Sequence, residues 1–163
     1  GCQRCEGDAV KPQDFIALIG PAARACHKST GVPASITVSQ AALESGWGES
    51  GLTKTAKNLF GIKADSLWRG ETVMLDTKEF IRGQWVVVPA KWRKYPTWQA
   101  SVDDHAAFLK RNPRYKDCFL CVSAQTFARA LLKAGYATDP DYADKLIRLI
   151  DTYKLGSLDG EGI

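Results

Sequence analysis

The residues best suited to chemistry lie in the stretch Gln40-Ala41-Ala42-Leu43-Glu44-Ser45-Gly46-Trp47-Gly48-Glu49-Ser50. Glu44 falls in the last turn of a helix that Gly46 and Gly48 should break. The negative end of the helix dipole disfavours an ionised carboxylate there. Leu43 and Trp47 would add desolvation, which raises a carboxyl pKa further. A carboxylic acid kept protonated near neutral pH is what a general acid requires. The plainer alternative is a surface glutamate with no task, because perturbed carboxylates mark functional sites only statistically.

A second group is aromatic. Trp68, Trp85, Trp92, Tyr95 and Trp98 are interleaved with Arg69, Arg82, Lys91, Arg93 and Lys94. Such rings can stack on sugar faces while the cations hold carboxylates. The same mixture suits single-stranded nucleic acid, or merely packs a hairpin. Glu44 ranks the sugar reading above nucleic acid.

The five cysteines form two C-x-x-C pairs, Cys2/Cys5 and Cys118/Cys121, with Cys26 left over. Free thiols, disulfides and a four-thiolate zinc site all remain open, although a zinc site usually has its pairs roughly 15–20 residues apart. Cys26 reads as a small buried apolar residue. His27 and His105 lack metal-binding spacing, and no phosphate loop is present, so neither cofactor nor catalytic metal is expected. Asp103, Asp104 and His105 fit a helix N-terminus, where acids complement the dipole.

These residues need elements to position them. Phe15, Ile16, Ile19, Ala22, Ala23 and Cys26 recur at helical spacing, predicting a helix over about 12–30, kinked at Pro21 and stopped by Gly31. A second helix follows Pro33, with Ile36, Gln40, Leu43 and Trp47 on one face. A short helix is expected within 49–58. The segment 71–95 turns β-branched and alternating around Gly83, which predicts a hairpin. Helices return at about 101–111, with Ser101 as N-cap, and at 123–134 and 140–153. Helices, a small sheet and helices again make an α+β fold with a cleft between lobes.

Length and composition agree with that plan. The chain has 163 residues, 45% hydrophobic and 25% charged, with a net charge of +4. This composition excludes disorder and collagen-like repeats and suits one domain. No apolar run reaches the ~18–20 residues that span a bilayer. The mild basicity fits an anionic polymer. The domain limits expected are an N-terminal arm at 1–11, a core domain at 12–155 and a frayed, flexible tail at 156–163. The start at Gly1-Cys2 suggests a fragment or processed product.

Ala41-Ala42-Leu43-Glu44-Ser45-Gly46-Trp47-Gly48, followed by Asn58-Leu59-Phe60-Gly61-Ile62-Lys63, resembles glycoside hydrolase family 73. Thr77-Lys78-Glu79, Arg93-Lys94-Tyr95, Ser101 with Asp104 and His105, and Gly135-Tyr136-Ala137-Thr138-Asp139-Pro140 continue the resemblance in order over about 12–153. It implies a lysozyme-like fold, a mainly helical lobe and a small β-hairpin lobe flanking a sugar groove. It also implies a β-N-acetylglucosaminidase acting on peptidoglycan glycan strands. Glu44 then matches the general acid, Glu79 the second acidic position and Tyr136 an active-site tyrosine. Asn58, Phe60 and Gly61 match the groove floor, and Trp68 and Tyr95 become candidate sugar contacts.

Glycosidic cleavage needs an acid for the leaving oxygen and a second group at the oxocarbenium-like centre. Glu79 could activate water, or the substrate's own N-acetyl group could attack. The alternatives carried are a muramidase on the same fold and a non-catalytic wall-binding module. A monomer acting in the periplasm or outside the cell is expected, or a phage-encoded or secretion-system lytic enzyme. The cysteine pairs lie outside the family pattern and could staple the arm to 118–121 through disulfide or zinc.

Overall fold

The computed structural model describes residues 12–160, so Cys2 and Cys5, and with them any staple to the N-terminal arm, lie outside the described residues. Helix α1 (Pro12–Thr30) buries Phe15, Ile19, Ala22, Ala23 and Cys26. Pro21 is carried inside the continuous helix, and Gly31 ends it at φ 85°. Helix α2 (Ala34–Ser45) is buried on nearly every side, from Ala34 to Ala42, with α1, α5, α6 and α7 packed around it. That burial explains its small residues: alanines and serines let the surrounding helices approach closely.

Helix α3 (Gly51–Ala56) starts from Ser50, whose side chain accepts the Thr53 N–H. Strands β1 (Thr72–Ile81) and β2 (Gln84–Arg93) pair antiparallel, with Phe80 opposite Trp85. Their two-residue connection, Arg82-Gly83, has positive φ at both positions, 51° and 80°. This is the turn geometry that matches strand twist. The hairpin is mounted at its base, where Ala64 N–H donates to Lys91 O and Arg93 N–H to Ile62 O.

Helix α4 (Trp98–Arg111) begins three residues before the expected cap. Thr97 is the N-cap and accepts from Ala100 N–H. Ser101 is instead fully buried, and its hydroxyl accepts the Leu59 N–H at 3.2 Å. A 3₁₀ segment (Pro113–Leu120) follows, then α5 (Ala124–Lys133), α6 (Tyr142–Thr152) and α7 (Ser157–Gly160).

Residues 157–160 of the expected tail are ordered. The Asp159 carboxylate accepts the Ser35 N–H at 2.8 Å and the Ser35 hydroxyl, capping the N-terminus of α2. A carboxylate there complements the helix dipole. Among the described residues Cys26, Cys118 and Cys121 are free thiols, and burial pushes Cys118 up to about 11, away from the thiolate a metal needs. Among those residues, too, no helix is long and apolar enough to cross a membrane.

Candidate active site

Helix α2 stops where its chemistry begins. Gly46 turns left-handed at φ 58°, returning its N–H to Ala42 O. Trp47 and Gly48 also have positive φ. A Cβ on Gly48 would sit 3.1 Å from the Phe15 ring, so both φ and space require glycine. Trp47 leaves the helical stripe and packs edge-on against Phe15 and Tyr153, with centroids 5.8 and 4.9 Å away. The turn thus ends α2 with Glu44 facing outward and its support buried.

Glu44 lies where two depressions meet. One, about 460 Å³, is bounded by Phe60, Gly61, Lys63, Arg93, Tyr115 and others. The second, about 500 Å³, is bounded by the segment 135–139, Tyr142 and Lys145. Glu44 and Tyr136 line both, so they occupy the waist of one continuous groove.

The Glu44 side chain is open to the groove, while the surrounding walls strip part of its hydration. That burial pushes its carboxyl above the ordinary carboxylate range, against a smaller opposite pull from Tyr142. Gln40 Nε2 donates to the Tyr142 hydroxyl at 2.9 Å. A phenol has one proton, and Tyr142 gives it to Glu44 Oε1 at 3.3 Å. Oε1 is therefore an acceptor, and the proton of neutral Glu44 belongs on Oε2.

Tyr136 sits in a ring cluster, 5.6 Å from Tyr142, 6.0 Å from Tyr115 and 6.2 Å from His105. Burial, with Tyr142 and Glu44 nearby, holds its hydroxyl well above the usual phenol range, so it remains a donor. His105 is fully buried and stacked on Phe60 at 3.9 Å, and burial lowers it to about 3. It is a neutral part of the floor, set within α4 and away from the helix N-terminus.

The other expected site residues separate. Phe60 and Gly61 line the groove. Asn58 is 1% exposed and works beneath the loop, donating to Ile62 O and Arg93 O while accepting the Ile62 N–H. Tyr95 is 3% exposed, with its hydroxyl donating to Asp104 at 2.5 Å; a buried ring has no face for a sugar. Trp68 covers the Arg93 guanidinium at 4.7 Å and meets Tyr95 edge-on at 5.6 Å. Asn58 and Tyr95 therefore support the wall from within, while Trp68 is half-buried against Arg93.

Glu79 stands on the hairpin, ion-paired at 2.8 Å to Lys63. Lys63 lines the first depression, so Glu79 reaches that wall only through its partner. Tyr142 and Tyr115 are not site candidates in the sequence, Arg93 is named there only among the hairpin cations and the family matches, and Gln40 only in the stretch that leads to Glu44. Gln40 lies one helical turn before Glu44 on the same face, a spacing that could have revealed it. Tyr142 is brought in from 98 residues away, and no local pattern signals that.

Helical lobe, hairpin and groove together define a lysozyme-like glycosidase architecture. The glucosaminidase family model, described as mannosyl-glycoprotein endo-beta-N-acetylglucosaminidase, matches residues 20–155, and the chain belongs to that family. It is 39% identical over 146 residues to the peptidoglycan hydrolase FlgJ of Salmonella typhimurium, covering 87% of this chain and 46% of that protein. It is also 39% identical over 152 residues to the exo-glucosaminidase LytG of Bacillus subtilis, covering 90% and 53%. The catalytic domain of the autolysin Auto from Listeria monocytogenes superposes with a TM-score of 0.82 at 32% identity, covering 94% of this chain and 92% of that domain. The chain spans about half the length of the curated relatives it matches.

Proposed function

We propose that the chain cleaves the β-1,4 bond after N-acetylglucosamine in peptidoglycan, with Glu44 as the general acid. The observation that carries this reading is the Glu44 carboxyl at the waist of the groove, raised in pKa and hydrogen-bonded through Oε1. In the proposed step, Oε2 gives its proton to the glycosidic oxygen as the bond to the anomeric carbon breaks. Family membership and the relatives named peptidoglycan hydrolase, glucosaminidase and autolysin support the polymer and the bond.

The oxocarbenium-like centre is assigned to the substrate's own N-acetyl oxygen, with the neutral Tyr136 hydroxyl orienting that group. Glu79 held on Lys63 outside the groove wall supports this route over direct activation of water by Glu79. Water then opens the cyclic intermediate and returns a proton to Glu44, giving net retention. Action at a cell wall, in the periplasm or outside the cell, follows from the proposed substrate.

The test is digestion of purified peptidoglycan by the chain and by Glu44→Gln, with borohydride reduction and mass spectrometry of the new ends. Reduced N-acetylglucosamine ends from the unmodified chain alone support the proposal. Reduced N-acetylmuramic acid ends replace it with a muramidase, and absence of new ends replaces it with a binding module. Proton NMR of the first product anomer decides the second step: β supports the N-acetyl route, and α transfers the role of base to Glu79.

A further inference from the structure

Four of the five aromatic residues clustered around the hairpin in sequence are engaged by the protein itself. Trp68 covers Arg93 and Tyr95 is buried. Trp92 donates to Leu75 O at 3.1 Å beneath Lys63, and Lys57 lies over Trp98. Trp85 is the exception at 72% exposed, and its cross-strand neighbour Phe80 is 62% exposed. Their rings lie 5.4 Å apart at 57°.

The strand register puts this pair on a definite side. Residues directly opposite in a ladder share a face, and faces alternate along each strand. Phe80↔Trp85 and Lys78↔Val87 therefore share one face with Asp76↔Pro89 and Met74↔Lys91. Glu79↔Val86 belongs to the other face, from which Lys63 reaches Glu79. A shallow depression of about 510 Å³, bounded by Lys78, Trp85, Val86 and Val87, accompanies the exposed rings.

We propose that this outward face of the hairpin is a second polysaccharide-binding platform, distinct from the Glu44 groove, for an anionic amino-sugar strand. The identity of that polymer rests on the proposed function. Tilted, open rings offer apolar surfaces to the C–H faces of pyranose rings. Lys78 and Lys91 on the same face and Arg82 at the turn have no carboxylate partner among the described residues, and Asp76 is the face's one acid. The face is thus net cationic and matches the stem-peptide carboxylates of wall glycan, or the lactyl carboxylates where the stem is absent. A two-fold contact with a second copy would set these cations against themselves. The apex between the rings is polar, Arg82-Gly83-Gln84, and carries no apolar wedge of its own.

The experiment uses Glu44→Gln protein, in which digestion of the polymer should be slowed by about a hundredfold or more, sedimented with insoluble peptidoglycan with and without Trp85→Ala or Lys78→Glu. Trp85 is exposed, so its truncation leaves the core intact. The expected result is affinity about tenfold weaker for Trp85→Ala, in line with the loss of one ring stack. With Glu44 intact, Trp85→Ala should slow release from insoluble polymer several-fold more than cleavage of a short soluble glycan.

Unchanged sedimentation overturns the proposal. Equal losses on polymer and soluble glycan also overturn it, by assigning Trp85 to the groove. A dimer in sedimentation velocity that Trp85→Ala dissociates would make the face a self-contact. Trp85-dependent flotation with phosphatidylglycerol vesicles would make it a lipid site. New glycan ends are measured separately. Cleavage without dependence on Trp85 refutes the platform alone, and Trp85-dependent sedimentation without new ends refutes the hydrolase alone.

Discussion

The two oxygens of the Glu44 carboxyl are not equivalent in this arrangement. Glu44 Oε1 accepts from Tyr142, whose own oxygen accepts from Gln40. Tyr142 stabilises the carboxylate form, so Tyr142→Phe should raise the Glu44 pKa further. The alkaline limb of the pH–rate profile should then move to higher pH while kcat falls. A purely structural contribution from Tyr142 would lower the rate and leave the profile in place. Glu44→Gln should cost about 10²–10⁴ in rate, the range for a general acid.

The same substitution should affect stability in the opposite direction. A carboxyl whose folded pKa is raised contributes most below its unfolded pKa, and that contribution is lost as pH rises through the folded value. Glu44→Gln should therefore have a higher Tm than the unmodified protein at neutral pH, with the difference vanishing in acid. An unchanged Tm at neutral pH would show that Glu44 ionises without penalty. The helix end and the two glycines that present Glu44 needed only local pattern, whereas the walls that desolvate it and the Tyr142 hydroxyl come from distant segments. Asn58, expected on the groove floor, and Tyr95, expected against sugar, are instead buried, because residue type does not report which side of a wall a ring or amide occupies.

The elements legible in sequence were those with a strong period. The apolar stripes of α1 and α6 and the alternation of β1 and β2 needed only local pattern. The 3₁₀ segment and α7 escaped because each is short and held by partners from other elements: Tyr115 packs against Tyr136, and Asp159 caps Ser35. The mounting of the hairpin escaped for the same reason. Arg93, 4% exposed at the end of β2, reaches Asp104 on α4 at 2.8 Å, Lys63 O at 3.1 Å and Asp65 at 3.4 Å. Asp104 also receives the Tyr95 hydroxyl. Removing one partner of a buried pair leaves a charge and its donors uncompensated. Asp104→Ala should therefore cost about 3 kcal/mol in urea unfolding, whereas a loss under about 1 kcal/mol would class the pair with surface ion pairs.

Across the whole molecule, the groove floor and the core are the same object. Phe60, His105, Tyr136 and Tyr142 form a run of rings linking the loop at 58–63, α4, the segment after α5 and α6. Any charge introduced into that run loosens both the fold and the site. His105 is the group that can introduce one. Its imidazole is fully buried and its two nitrogens have no protein partner among the described residues, so burial lowers it to about 3. Unfolded histidine titrates near 6.5.

The folded state then binds fewer protons than the unfolded state between these values. Stability from a neutral His105 is fully present above about 6.5 and drains away as pH falls toward about 3. One proton gives a limiting slope of about 1.4 kcal/mol per pH unit. Urea unfolding at several pH values should show that slope through the acid range. His105→Phe, which keeps a ring against Phe60, should flatten it by about one proton. A slope unchanged in His105→Phe would assign the acid sensitivity to carboxylates elsewhere. A flattened slope would place the acid limit of the fold in the groove floor, because the ring that charges is the one supporting Phe60 and Tyr136.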